Sequence, residues 1–175
     1  LSAYTLFSNN RYKGYDKIES GNRLNYGLRG NVITPWLNNF NFLVGQTIRA
    51  KKDPNFQKRS GLDGYQSDYV TKFSVQPTDK LFINNNSRYD EDNLSLQKNE
   101  FSLDLNYPTF TFSSSHQYNN KDILDLTKPR YRQELEVSST YNFVDDWWLE
   151  GGVRTRLGKK IATQPQHLIS NLVGL

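Results

Sequence analysis

Apolar and polar residues alternate along most of this chain with the two-residue period of a β-strand. The clearest stretch, 23–32, sets Leu24, Tyr26, Leu28 and Val32 on one side, with Gly30 among them. Arg23, Asn25, Arg29 and Asn31 lie on the other side, with Gly27. Segment 40–50 repeats the pattern: Phe40, Phe42, Val44 and Ile48 oppose Asn41, Thr47 and Arg49, with Leu43 and Gly45 on the polar side. Segment 68–76 sets Tyr69, Thr71, Phe73 and Val75 against Lys72, Ser74 and Gln76. Segment 80–89 is the weakest, because Asn84, Asn85 and Asn86 interrupt it, yet Leu81, Ile83 and Tyr89 keep one parity.

Four more strands are expected. Segment 97–107 opposes Phe101, Leu103, Leu105 and Tyr107 to Glu100, Ser102, Asp104 and Asn106. Segment 109–118 carries Phe110, Phe112 and Tyr118 on one side. Segment 131–143 sets Tyr131, Leu135, Val137, Tyr141 and Phe143 against Arg132, Glu134, Glu136 and Asn142. Segment 147–157 sets Trp147, Leu149, Val153 and Leu157 against Glu150, Arg154 and Arg156. After Leu157 the pattern stops, and 158–175 reads as an atypical tail.

The connections alternate in length. Those after the first, third, fifth and seventh strands are short turns marked by Pro35, Pro77, Pro108 and the pair Asp145-Asp146; 51–67, 91–96 and 119–130 are longer polar loops. Short turns at one rim and long loops at the other are the habit of outer-membrane barrels, so the short turns are expected at the periplasmic side. Aromatics near strand ends (Trp36, Phe40, Tyr69, Tyr89, Tyr107, Tyr118, Tyr131, Trp147) suit the two interfacial girdles. Ten residues tilted by about 40° rise roughly 25 Å, enough to cross the apolar layer. The expected fold is all-β: a transmembrane antiparallel up-and-down barrel segment of about eight strands, part of a larger barrel.

Composition agrees with this only once the alternation is recognised. Mean hydropathy is −0.77, too polar for a helical membrane protein, and no run approaches the about 20 apolar residues a helix needs. A barrel wall needs apolar residues only at alternate positions, and 14% aromatics fits that design. The chain has no cysteine, which excludes disulfides, thiolate metal sites and thiol nucleophiles. A net charge of +4, interspersed along the chain, gives no reason to expect nucleic acid as a partner. No signal peptide opens the sequence, so an exported protein of this kind is expected here as a mature or downstream portion.

No catalytic or metal-binding constellation stands out, and neither an enzyme nor a cofactor is expected. His116 and His167 lack metal-type spacing; Asp122 and Asp125 lack the alternating acids of a calcium loop; Asp145-Asp146 reads as a polar turn. Gly27, Gly30, Gly45, Gly151 and Gly152 form no phosphate loop and would instead allow bending or close packing on an interior element.

Residues 6–28 carry a denser signal: Leu6, Phe7, Arg11, Tyr12, Gly14, Asp16, Lys17, Ile18 and Arg23 follow the pattern L-F-x-x-x-R-[YF]-x-G-x-D-[RK]-I-x-x-x-x-[RQ]. This resembles the LptD family of lipopolysaccharide-assembly proteins, also called organic solvent tolerance proteins. Val44-Gly45-Gln46 resembles that family's following strand, and Ser67–Val70, Arg88–Asp90 and Asp146–Trp148 resemble it more loosely. The likeness covers 1–157, taken as one partial barrel domain whose residues 1–21 form an extracellular or lumenal loop.

The resemblance implies a bacterial outer-membrane location and a large barrel of about 26 strands. It also implies a periplasmic domain, an LptE-like lipoprotein plugging the lumen, outer-membrane lipids around the wall, and lipopolysaccharide as cargo. The family's late cysteine pair has no counterpart here. In such a barrel Arg23, Asn25, Arg29, Arg49, Lys72, Arg132, Glu134, Arg154 and Arg156 would face the lumen, because charges are costly against lipid. Arg88, Glu100, Asp104, Glu136 and Glu150 would join them. They would hydrogen-bond the plug or phosphorylated sugars, or pair across strands to stiffen the wall. Arg11 and Asp16 are expected to order a loop folded into the lumen. An isolated piece with two unpaired edges would transport nothing by itself. Two other readings fit the alternation: a self-closed eight-stranded pore or adhesin, and a soluble lipocalin-like barrel that binds ligand on an inward apolar face.

Overall fold

A computed structural model describes residues 1–8, 11, 19, 21–56, 58, 60–120, 131–144, 147–157 and 169–173. Nine strands follow one another: β1 (Arg23–Thr34), β2 (Leu37–Arg49), β3 (Tyr69–Thr78), β4 (Leu81–Tyr89), β5 (Leu96–Asn106), β6 (Phe110–Asn119), β7 (Arg132–Val144), β8 (Trp147–Leu157) and β9 (Ile169–Val173). They form one sheet in sequence order, every pair antiparallel. Among the described residues β1 and β9 are edges, so the sheet is an open up-and-down wall.

The first eight strands lie where alternation places them, most boundaries moving by one or two residues. β2 departs further, starting at Leu37 directly after the Pro35-Trp36 turn, so the hairpin is tighter than its composition suggests. The ninth strand has no alternating signature, since its sequence is I-S-N-L-V; it is held by five register pairs to β8. The pattern's end at Leu157 is therefore not the end of the sheet.

Register keeps parity from strand to strand. One rung runs Val32, Phe40, Val75, Ile83, Leu103, Ser114, Val137, Val153, apolar except at one serine. A rung on the opposite face runs Asn31, Asn41, Ser74, Asn84, Ser102, Ser115, Glu136, Arg154. The apolar face is bare: Leu24, Leu28, Phe73, Phe101, Leu149 and Val153 are all exposed. Phe42 stacks on Phe40, which stacks on Phe73 in turn. A lipocalin-like barrel would turn this face inward and cover it; here it is the uncovered one.

Polar residues that fall on the apolar face satisfy one another sideways. The Ser87 hydroxyl donates to Asn85 (2.9 Å) and accepts from the Asn99 amide (2.8 Å). Asn84, on the polar face, accepts from the Ser74 hydroxyl and lies 3.4 Å from Ser102. Asn84 is thus tied to both neighbouring strands, while Asn85 is held by Ser87 of its own strand and Asn86 reaches the Tyr4 hydroxyl.

The small core lies on the polar face. Residues 1–8 fold back across β2–β4, and Ala3 and Leu6 are buried against Val70, with Leu1 and Leu43 beside them. Leu43 and Val70 are apolar exceptions on a polar face, placed where this segment lands. Gly45 makes room for it: a Cβ there would meet the Leu6 side chain and sit 2.7 Å from the Tyr26 carbonyl oxygen. This is the close packing on an interior element expected of the strand glycines.

Overpacking at this point should release the segment. Gly45→Val is expected to destabilise by about 1–3 kcal/mol and to expose residues 1–8 to protease, read by limited proteolysis and denaturant unfolding. Leu6→Ala in the same background should recover only part of the loss, because the clash with the Tyr26 carbonyl stays.

Candidate functional site

The polar face and the outer ends of its strands carry the side chains able to do chemistry. Of the motif residues, Tyr12, Gly14, Asp16, Lys17 and Ile18 lie outside the described residues, as do Asp122, Asp125, Asp145, Asp146 and His167. Arg11 is described, and it is central.

Arg23 and Arg49 are register partners at the outer ends of β1 and β2. Two like charges directly opposed across an antiparallel pair are destabilising. Glu19 resolves the conflict by forming ion pairs with Arg23, Arg49 and Arg11. Arg11 Nε donates to Glu19 (2.9 Å) and Nη1 to the Thr47 hydroxyl (2.9 Å), which donates in turn to Asn25 (2.9 Å). Arg23 also caps the Ser8 carbonyl at 2.6 Å, and Phe56 stacks 4.4 Å from the Arg49 guanidinium. The segment before β1 is therefore tied to the polar face at the ends of β1 and β2 by charge as well as by Leu6.

Burial alone would push the Glu19 carboxyl up. Hydrogen bonds from Arg11 and Arg23, with the charges of Arg11 and Arg49, overcome that and hold it at about 2. Alternation could not find this acid, because it lies outside every strand. Its only sequence signal is its placement between Arg11 and Arg23, four residues before the latter.

A second knot sits beside it. Arg88 pairs with Asp68 at 3.2 Å and donates to the Ser60 carbonyl at 2.5 Å. The fragments Ser67–Val70 and Arg88–Asp90, each only loosely family-like, are thus one feature, with Val70 facing Arg88 and Tyr69 facing Tyr89. Asp68, Asp90 and Glu91 bring carboxylate oxygens within 4.8 Å of one another. Burial first, then a hydrogen bond with Glu91, raises Asp68 to about 7 against the pull of Arg88. The motif Val44-Gly45-Gln46 also resolves into parts. Val44 faces outward, Gly45 admits Leu6, and Gln46 accepts from the Tyr26 hydroxyl while donating to the Ser67 carbonyl at 2.8 Å.

The other expected lumenal residues fall on the polar face as well. Lys72 lies 4.3 Å from the Tyr4 ring, whose hydroxyl meets Asn86, its rung partner, at 3.5 Å. Glu100 pairs with Lys98 (2.6 Å), and Asp104 accepts from the Ser113 hydroxyl (2.7 Å). Arg132, Arg154 and Arg156 converge on Glu134, at 2.5, 3.2 and 3.4 Å. Arg29 lies on the polar face opposite Leu43, exposed and outside both arginine clusters.

Removing the Glu19 charge should loosen the first cluster. Glu19→Gln is expected to destabilise by roughly 3 kcal/mol at pH 7, because it leaves buried arginines uncompensated. A carboxylate held below its usual range contributes stability that is complete above about 4.5 and lost as pH falls through about 2. Parent and variant should therefore converge in denaturant unfolding as the pH is lowered across that window.

Comparison with curated proteins and with solved structures finds no significant match. A family model for LPS transport system D matches residues 1–147, which take in the segment on the polar face, the Glu19 and Asp68 knots and every strand through β7. On that match the chain belongs to the LptD family.

Proposed function

We propose that this chain is one wall of an outer-membrane lipopolysaccharide translocon. The observation that carries the reading is the two-faced sheet in a chain of the LptD family: a largely apolar, exposed face on one side, and on the other a face of arginines, acids and amides. β1–β8 span the hydrocarbon layer. The short turns, Pro35-Trp36 and Asp79-Lys80 among them, lie at the periplasmic rim, and 50–68 and 90–95 lie outside the cell. Trp36, Tyr107 and Trp147 mark one interface; Tyr69, Tyr89 and Tyr131 mark the other.

The polar face lines a wet lumen through which the sugar part of lipopolysaccharide passes, beside an LptE-like plug lipoprotein. The edges β1 and β9 join further strands of the same barrel, which is connected to a periplasmic domain. The role is transport, without catalysis or a cofactor, and the wall works only with those other parts.

The facing of a central strand tests this. Leu103→Arg places a charge on the lipid side, near mid-strand, and should cost about 2–4 kcal/mol, blocking heat-modifiable barrel formation and lipopolysaccharide delivery to the outer leaflet. Ser102→Arg, one residue away on the lumenal face, should assemble and deliver normally. Normal assembly of Leu103→Arg would remove the membrane reading.

A further inference from the structure

The second arginine cluster encloses a space. Gln117 and Asn119 on β6, Arg132 and Glu134 on β7 and Arg154 on β8 line a cleft of about 250 Å³ on the polar face, near the outer ends of their strands. Register sets Asn119 beside Arg132, Gln117 beside Glu134, and Arg156 on the far side of Glu134. Glu134 is largely buried, at 13% exposure, whereas the three guanidinium side chains are open at 45, 55 and 66%.

Among the described residues the charges do not balance. Three arginines meet one carboxylate, a surplus of two positive charges in that cluster. Three guanidinia offer about fifteen N–H groups, of which one carboxylate can accept about four. The neighbouring charges among the described residues do not fully make up the difference. Lys98 and Glu100, one strand over, pair with each other. Glu136 faces Arg154 by register, and the ion pairs found among the described residues do not include it. The amides of Gln117 and Asn119 add further donors to the lining.

We propose that this cleft binds a phosphate monoester, its oxygens taken by Arg132 and Arg154 in the forked geometry that guanidinium offers to phosphate. Glu134 is the counter-charge that holds the arginines together when the cleft is empty. It competes with the ligand rather than binding it. Resting on the transport reading, the natural source is a phosphate on the sugar headgroup of the translocated glycolipid; inorganic phosphate offers the same chemistry and is separated from it below.

The test uses the protein purified in detergent with the rest of its barrel, titrated at fixed ionic strength. The probes are sodium phosphate, a glucosamine disaccharide bisphosphate and its dephosphorylated form. Both phosphates should bind, and the dephosphorylated sugar should not. Arg132→Gln with Arg154→Gln should weaken phosphate binding at least about tenfold, two charge-assisted contacts being lost. Glu134→Gln should tighten it about fivefold, because a competing negative charge is gone. Heat-modifiable migration checks folding; should the double variant fail it, the more exposed of the two lining arginines alone, Arg154→Gln, carries the test at about threefold.

Unchanged affinity in the arginine variants, or no tightening in Glu134→Gln, overturns the site and leaves the transport reading standing. Binding of inorganic phosphate without the sugar bisphosphate overturns the headgroup assignment. Binding that follows the prediction, in a protein whose depletion leaves lipopolysaccharide delivery intact, overturns the transport reading and keeps the site.

Discussion

Everything in this structure depends on one constraint: the side-chain period of a strand is two, and the seven successive pairings of β1–β8 keep the same phase. A slip of one residue in any pairing would exchange the faces of every strand beyond it, setting Lys72, Glu100, Glu134 and Arg154 where Phe73, Phe101, Leu135 and Val153 now lie. The irregularities in register lie near strand ends, at 32–34, 75–78, 88–89 and 142–144, and the faces stay separated through all of them. Turn chemistry and cross-strand pairing therefore act together, each fixing what the other would allow to drift.

The polar face has its own difficulty, which is charge crowding. Arg23 against Arg49 is a pairing that no isolated hairpin would favour. It becomes tolerable because Glu19 arrives from outside the strands, and Glu19 is held there because Arg11 anchors it while Leu6 docks over Gly45. Local sequence and long-range packing are thus tied. The segment before β1 is needed to neutralise the wall, and the wall supplies the glycine and the apolar pair Leu43 and Val70 on which that segment rests.

The strands and their two faces were legible because period-two alternation is a local signal, repeated eight times. The arginines of the polar face were legible for the same reason, as the polar phase of that pattern. The contacts of Glu19 and of the Asp68–Arg88 knot were not, since their partners lie in different segments: the flanking arginines and the loosely family-like fragments mark the places but not the pairing. Gly45 showed a general capacity for close approach, but not that Leu6 would use it. β9 was hidden for a different reason: I-S-N-L-V is too short and too irregular to show a phase, and only its pairing with β8 defines it.

The size of the buried core bears on how such a wall stands. Among the described residues only Ala3, Leu6, Leu62 and Val70 are buried apolar side chains. Four residues cannot offset the conformational entropy lost in ordering a sheet of nine strands. The described residues do not supply the missing apolar contact, and the place for it is already shaped, because Leu24, Leu28, Trp36, Leu149 and their neighbours present an exposed, largely apolar surface. In water that surface would be an aggregation site with two open edges. Against hydrocarbon, within a closed ring of strands, the same surface would become the larger part of the core, and the low mean hydropathy of the sequence is what remains when the other face is given over to polar side chains.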